Sequence, residues 1–303
     1  MKICLTIGGY RIVVEEPKDR DIYQWPVRFY IPFLDEDTGS PDIHFKIKLV
    51  RKFSDPPKTA PLFSSNNDFW KIYSDSGGYF VECRRPENGS LLIRSWLTKD
   101  FRSIFSEVRE RKIGGSSKGS WAPAAFFNPL LELVLNLKLA YDGGLFLHSS
   151  GVLTEDGVFV FCGPSGAGKS TIAEIFLKRG YRVLNDERLI IRFQGGEFKA
   201  YGTPWPGSSY LYSNACGNLK RLFLISHGQE MHKATLIPKA KMTASLMQQT
   251  YLPHWDQDAL ASLMRFYESL LAKNGCWQLS FLNDVSVADF VMSGRDLSSL
   301  AIA

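Results

Sequence analysis

The sequence predicts an α/β fold (α+β, with a mixed sheet) in which a strand-rich N-terminal region precedes a second domain. The first hundred residues hold short runs of β-branched and aromatic residues, each bounded by Gly, Pro, Asp or Asn. From residue 128 onward, helical segments with one apolar face alternate with strand-like segments. Two of those strand-like runs are joined by only five residues, so at least one pair of strands must be antiparallel.

The composition is that of a folded globular chain. The 303 residues are 45% hydrophobic and 22% charged, which suits one large or two modest domains and excludes a disordered chain. A net charge of +5 permits an acidic ligand but gives no reason to expect a nucleic-acid partner. Five widely separated cysteines without a CxxC pair argue against a zinc ribbon or a disulfide scaffold.

We expect a cytoplasmic protein with no membrane partner. The first residues lack the apolar core of a signal peptide. The longest apolar stretch, residues 126–140, is interrupted by polar side chains and is too short to span a bilayer. The odd cysteine count is also typical of a reducing compartment.

The strand-like segments of the first part are residues 3–7, 10–14, 44–50, 79–83 and 91–95. Residues 111–127 are predicted to form a connector, because Gly114-Gly115-Ser116-Ser117 and Trp121-Ala122-Pro123 are typical of irregular chain. The predicted organisation is therefore a recognition or dimerisation region at 1–110, the connector, and a second domain at 128–303.

A helix and a hairpin open the second domain. Asn128-Pro129 offers an N-cap and a first-turn proline, an apolar helical face follows, and Gly143-Gly144 ends the helix. Strand-like residues 145–152 and 158–162 are joined through Glu155-Asp156-Gly157, which predicts an antiparallel hairpin.

A complete GxxxxGK[ST] motif follows the hairpin. It consists of Gly163, Pro164, Ser165, Gly166, Ala167, Gly168, Lys169 and Ser170, and Thr171 continues it into an amphipathic helix. Glycines let backbone N–H groups converge on phosphate oxygens, and the helix N-terminus adds positive partial charge. Lys169 is expected to reach the β- and γ-phosphates, and the Ser170 hydroxyl is expected to bind Mg²⁺. A glycine-rich turn that binds nothing is the alternative, and the strand before and the helix after argue against it.

Two adjacent carboxylates follow the next predicted strand. The helix ends at Lys178-Arg179-Gly180, residues 181–184 are strand-like, and Asp186 and Glu187 stand at the carboxyl end of that strand, where ligands bind in open α/β sheets. On an extended segment, neighbouring side chains point in different directions. One carboxylate can then face an acceptor while the other approaches the metal; a solvated acidic turn is the alternative.

His148 can be placed by the register of the hairpin. If residues 156–157 form its loop, His148 faces Ser165; if residues 155–156 form it, His148 faces Gly163. In either register the imidazole lies beside residues 163–168 of the GxxxxGK[ST] motif, which we call the phosphate loop. There it could orient a carboxylate or bind phosphate. A structural histidine bonded to backbone is the alternative.

The other histidines and several large aromatic residues give weaker signals. The spacing of His227, His232 and His254 matches no common metal site, and we expect surface positions for them. A base or a peptide could stack on Trp205, Tyr210, Tyr212 or Trp255. Large aromatic residues are nevertheless more often part of a core.

Together these segments resemble the HPr kinase/phosphorylase family, whose nucleotide core is shared with phosphoenolpyruvate carboxykinases. The resemblance covers residues 145–207 and extends more loosely to about 292. It implies a carboxykinase-like P-loop kinase domain that uses ATP and Mg²⁺, and it also implies a possible homo-oligomer. By resemblance, Asp186 is the general base for an acceptor serine, Glu187 is the metal-side carboxylate, and His148 supports this site.

Two features depart from that family. Glu187 stands where the second aspartate is usual, and no counterpart of a downstream glycine-rich ("EVRG-like") stretch is found. The chain is more similar to a branch of kinases that phosphorylate the C-terminal serine of ribosomally made precursor peptides, especially lasso peptides. The predicted function is therefore an ATP-dependent serine kinase acting on a peptide or protein. A non-catalytic ATP-binding regulator and a small-molecule kinase are the alternatives.

Overall fold

The structure, a computed structural model, describes residues 2–15, 28–36, 39–85, 87–112, 119–120, 126–228 and 230–293. The chain divides into two compact units, Met1–Lys138 and Leu139–Ala303. Each unit is built on a large mixed sheet, which confirms the predicted mixed α/β class. The carboxykinase-like type of the second domain and the boundaries at 110 and 127 stay predictions. The Gly-Ser and Trp-Ala-Pro motifs of the predicted connector lie outside the described residues.

The strands of the first unit are β1 (Lys2–Ile7), β2 (Tyr10–Glu15), β3 (Ile43–Val50), β4 (Phe63–Ser64), β5 (Trp70–Asp75), β6 (Gly78–Arg84), β7 (Leu91–Thr98), β8 (Ser103–Arg109), β9 (Arg111–Lys112) and β10 (Gly119–Ser120). Short helical turns lie at Arg28–Phe33 and Asn66–Asp68. One sheet has the order β1-β2-β3-β8-β7-β6-β5-β4, with parallel pairing only at β2–β3 and β3–β8 among the described strands, and β9 pairs with β10. The five predicted strands are all present, each extended by a few residues at most.

The sequence did not predict β5 and β8, although β8 lies in the middle of the sheet. The reason is that β8 buries polar residues that pair inside the unit. The Ser106 hydroxyl lies 2.9 Å from that of Ser95, and the Glu107 carboxylate accepts hydrogen bonds from the Ser54 amide and hydroxyl. Buried polar groups need such partners. They also interrupt the alternation of apolar and polar residues by which a strand is recognised in a sequence.

The remaining elements are α1 (Glu132–Asp142), β11 (Gly144–Thr154), β12 (Gly157–Cys162), α2 (Lys169–Lys178), β13 (Arg182–Asn185), β14 (Arg188–Gln194), β15 (Glu197–Tyr201), β16 (Cys216–His227), β17 (Lys233–Leu236), α3 (Lys239–Gln248), α4 (Gln257–Asn274), β18 (Trp277–Phe281) and α5 (Ser286–Met292). A short helical segment, Phe126–Leu131, precedes α1, and within it Asn128 is extended. The predicted helix, its glycine end and the predicted hairpin are thus confirmed, whereas the predicted start is wrong because α1 begins at Glu132 and not directly after Asn128. Among the described helices, none combines the length and the apolar character that crossing a membrane requires.

The sheet of the second unit brings three parallel strands together. β12 and β18 both pair in parallel with β16, while β11 pairs antiparallel with β12, β13 and β14. Since β12 and β13 are both antiparallel to β11, they run in the same direction. The carboxyl ends of β12, β13, β16 and β18 therefore meet at one edge of the sheet.

Two apolar clusters hold this sheet, one on each face. On one face, α2 and α5 pack through Ile172, Phe176 and Val287 against Phe159 and other residues of the sheet. On the other face, α3 and α4 bury their apolar sides against the alternate residues of the same strands. Covering both faces in this way stabilises the parallel strands, which are seldom left exposed to water.

Candidate functional site

The carboxyl edge of the second unit's sheet carries the predicted site. The phosphate loop follows β12, and the turn with Asp186 and Glu187 follows β13. β11 pairs Ser149 with Cys162 and Thr154 with Gly157, so the hairpin loop is 155–156. This is the second of the two predicted registers, and it sets His148 opposite the start of the phosphate loop.

The loop from 163 to 168 has the backbone that an anion site needs. Gly166 and Gly168 have φ of 80° and 99°, and the N-terminus of α2 follows directly. A side chain at Gly168 would meet the Phe281 ring at 2.8 Å, so the close approach requires glycine there. Residues 164–166 are exposed, while Ala167 is buried in the apolar cluster that contains Ile172 and Phe176 of α2. Free amides at the start of a helix favour phosphate oxygens.

Lys169, the first residue of α2, folds back over the loop. Its Nζ donates to the carbonyl oxygens of Gly163 at 2.8 Å and Pro164 at 3.1 Å. Burial lowers the pKa of this ammonium group, and the charge of Glu187 opposes that shift. The lysine is therefore held at the centre of the loop. Ser170 and Thr171 follow in the first turn of α2 and are half-buried.

The turn after β13 is organised by Asn185. Its side-chain oxygen accepts from the amides of Glu187 and Arg188, both at 2.7 Å, and its side-chain nitrogen donates to the Thr203 carbonyl at 2.9 Å. Asparagine commonly closes a turn in this way. The segment is consequently bent, which corrects the expectation of an extended segment with diverging side chains.

The carboxylate of Asp186 is buried and held by backbone. Its two oxygens accept from the amides of Gly207 at 2.7 Å and Ser209 at 3.1 Å, and the residue is 1% exposed. Burial raises the pKa of this carboxyl group above its ordinary value, with a smaller contribution from Glu187, while the amide hydrogen bonds oppose the shift. Asp186 is thus both a fixed group and a stronger base than an ordinary aspartate.

Glu187 lies between His148 and Arg188. Its carboxylate is 3.9 Å from His148 Nδ1 and 3.7 Å from the Arg188 guanidinium, and its backbone carbonyl accepts from the Ser149 amide at 2.8 Å. Burial, with the charges of Lys169 and Arg188, lowers the pKa of His148 to about 4. The imidazole is therefore neutral near pH 7.

Gly207 is a site residue whose role the sequence did not indicate. A Cβ atom there would lie 2.6 Å from Glu187 Oε2 and 3.0 Å from Asp186 Oδ2. Both carboxylates therefore lie against the same backbone atom. Only glycine leaves room for them, and its amide also binds Asp186.

His227 contacts the phosphate loop, and the sequence did not predict this contact. It is exposed, as expected, but its Nε2 donates to the Gly166 carbonyl at 2.7 Å, and its ring centroid is 6.2 Å from that of Phe281. The bond holds the outer side of the phosphate loop. His232 instead bonds Ser286 and the Leu282 amide, and His254 contacts Trp255.

The donors at this edge fit a nucleotide with Mg²⁺. Mg²⁺ is usually bound by one or two carboxylates or hydroxyls together with substrate phosphates. The Ser170 hydroxyl and the half-exposed Glu187 carboxylate are oxygen donors of this kind, and Glu187 is close enough to Lys169 to influence its pKa. Within the described residues, no three His, Cys, Asp or Glu side chains gather into a metal site of their own.

Comparison with known proteins gives a remote structural likeness. No family model matches the chain, and no curated protein matches it. Among solved structures, the HPr(Ser) kinase/phosphatase from Coxiella burnetii is similar over 51% of this chain and 98% of its own, with 8% identity and a TM-score of 0.29. A likeness at this level assigns neither an activity nor a substrate.

Proposed function

We propose that the chain is an ATP-dependent kinase that transfers the γ-phosphate to a serine of a peptide or protein. The observation that carries this proposal is the meeting of a phosphate loop and a buried, backbone-held carboxylate at one sheet edge. The loop supplies amides and Lys169 for the phosphates, and Asp186 supplies a base. A phosphate site and a positioned base are the two parts that phosphoryl transfer to a hydroxyl requires.

The proposed reaction runs in one displacement. The acceptor hydroxyl gives its proton to the Asp186 carboxylate, its oxygen forms the new bond to the γ-phosphorus, and the bond to the β–γ bridging oxygen breaks to release ADP. Each carboxylate oxygen already accepts one amide hydrogen bond and keeps a lone pair for the acceptor. The raised pKa favours proton acceptance.

Lys169 and the loop amides bind the charge of the transferring phosphoryl group. Ser170 and Glu187 would hold Mg²⁺, which neutralises phosphate charge when bound. His148, neutral near pH 7, is placed to orient the Glu187 carboxylate. The narrower acceptor, a C-terminal serine of a ribosomally made precursor peptide, is supported only by the resemblance in length and architecture to that branch of kinases and by the missing EVRG-like stretch.

A regulator that binds ATP without transferring phosphate is the second candidate. One observation favours it: Asp186 is 1% exposed, so an acceptor reaches it only if the segment that contains Gly207 and Ser209 moves. A small-molecule kinase is the third, and it differs from the first in accepting free serine.

The test uses purified protein, Mg²⁺ and γ-labelled ATP. The acceptors are a peptide ending in serine, HPr, free serine and buffer alone, each repeated with Asp186→Asn. We expect label on the peptide, a loss of roughly 10²–10⁴-fold in rate for the variant, and nearly unchanged ATP binding. Equal loss of binding and rate would contradict the base assignment. Tight ATP binding without label on any acceptor would favour the regulator.

Lys169→Ala gives a separate test of the phosphate loop. Because Lys169 is expected to bind the β- and γ-phosphates, the substitution should weaken ATP binding and turnover together. Titration of a fluorescent ATP analogue measures the first and the labelling assay measures the second. A fully active variant would remove the phosphate-loop assignment.

A further inference from the structure

The segment that covers Asp186 is hydrogen-bonded to the end of β13 and to the turn that follows it. The Asp186 amide donates to the Leu211 carbonyl at 3.1 Å, and the Ser213 amide donates to the Leu184 carbonyl at 2.9 Å. With the amides of Gly207 and Ser209 bonded to the carboxylate, this segment has a defined shape. We name residues 207–212 the covering loop.

Tyr210 projects from the covering loop into solvent. It is 66% exposed and has φ of 54°, a left-handed conformation that is uncommon for a bulky residue, and its amide donates to the Gly207 carbonyl at 3.2 Å. Strained backbone and an exposed aromatic ring are both typical of functional positions. The loop therefore presents an aromatic ring one residue beyond an amide bonded to Asp186.

The covering loop belongs to the acceptor side of the site. The Ser209 hydroxyl donates to the Glu174 carboxylate of α2 at 2.6 Å, so the loop lies beside the helix that begins at the phosphate loop. An acceptor serine must come within hydrogen-bond reach of Asp186. Consecutive residues of an extended peptide are only about 3.3 Å apart. The residues that flank the serine would then lie close to the covering loop, which carries Tyr210 next to the Ser209 amide.

We propose that Tyr210 is a specificity residue that contacts an apolar side chain within two positions of the acceptor serine in an extended peptide segment. A tyrosine ring offers an apolar face for such a side chain and loses little conformational entropy on binding. A free amino acid has no neighbouring residue to make this contact. The inference rests on the proposed kinase function and narrows its substrate to a peptide or an unfolded protein segment.

The test is a panel of serine peptides in which Phe, Leu, Ala, Asp or Lys is varied at each of the two positions on either side of the serine. Transfer from γ-labelled ATP is measured for the wild type, Tyr210→Ala and Tyr210→Phe. We expect the wild type to prefer Phe or Leu, and the Ala variant to lose that preference with an acceptor KM about tenfold higher. The Phe variant should keep the preference, and KM for ATP should stay unchanged in both.

Two further variants separate this contact from a general defect. Phe193→Ala removes another exposed aromatic ring, at the far end of β14, and should leave the preference intact. Tyr210→Asn removes the ring but tolerates the left-handed backbone, and it should behave like Tyr210→Ala. The inference would be overturned if the wild type phosphorylated all peptides at equal rates whatever residue flanked the serine. It would also be overturned if Tyr210→Ala kept the preference for Phe or Leu. Neither result would contradict the kinase assignment. Bound ATP without transfer to any peptide would overturn the kinase assignment itself.

Discussion

Gly207→Ala tests whether the two carboxylates must stand where the structure has them. The new methyl group would lie 2.6 Å from Glu187 Oε2 and 3.0 Å from Asp186 Oδ2. The Glu187 side chain can rotate away, whereas Asp186 is held by two amides, one of them from Gly207 itself. The backbone of Gly207 has no left-handed φ, so the substitution is a purely steric change.

The expected magnitudes follow from this geometry. Overpacking of this kind costs about 1–3 kcal/mol of the free energy of unfolding, and we expect the lower part of that range because Glu187 can move. A displacement of about 1 Å at the reacting group costs roughly 10²-fold in rate. ATP binding should change little, because the phosphates are proposed to bind to residues 163–171 and not to Gly207.

The assay compares kcat for peptide phosphorylation, Kd for ATP and the thermal midpoint in Gly207→Ala and in Ser208→Ala. Ser208 is the exposed neighbour, and its variant controls for any change in this loop. A kcat within threefold of the wild type would refute the reasoning, since it would mean that the carboxylate positions do not limit the rate. Loss of ATP binding equal to the loss of kcat would show instead that Gly207 supports the nucleotide site.

Two other predictions concern the histidine that contacts the phosphate loop and the reactivity of the cysteines. His227→Ala should weaken ATP binding about 3–10-fold, because it removes one hydrogen bond to the Gly166 carbonyl. His227→Gln should restore part of the lost affinity. Titration calorimetry measures both affinities, and equal affinity of the wild type and both variants would contradict a role of His227 in holding the loop. Burial raises the pKa of the Cys83 and Cys162 thiols to about 12, so only about one molecule in 10⁴ carries either thiolate at pH 8. Alkylation at that pH, followed by mass spectrometry, should therefore modify exposed Cys216 first, and rapid labelling of Cys162 in the folded protein would contradict this.

Local sequence signals predicted the parts of the site that lie close together along the chain. The phosphate loop, the hairpin that places His148, and the end of α2 at Gly180 all depend on neighbouring residues. Glycines, turn residues and apolar periodicity carry this information directly. The register of the hairpin was predicted to within one residue, and the structure selected between the two.

The contacts of His227 and Gly207 could not be predicted in the same way. His227 reaches the phosphate loop because β16 pairs in parallel with β12, although 53 residues lie between the end of β12 and the start of β16. Gly207 meets Asp186 across a loop that the sequence leaves without a pattern. Such pairings depend on the whole sheet, and no local propensity records them.

The two halves of the site are anchored to very different degrees. β12, which leads into the phosphate loop, is paired on both sides and buries Phe159 and Phe161 on one face and Val160 on the other. Its amides should exchange with solvent only when the whole second unit unfolds. The covering loop is held mainly by hydrogen bonds to Asp186 and Glu174, and such contacts open at a lower free energy than paired central strands. Under the proposed function, ATP would bind to a site formed at the core of the sheet, whereas the acceptor would reach Asp186 only after the covering loop moves.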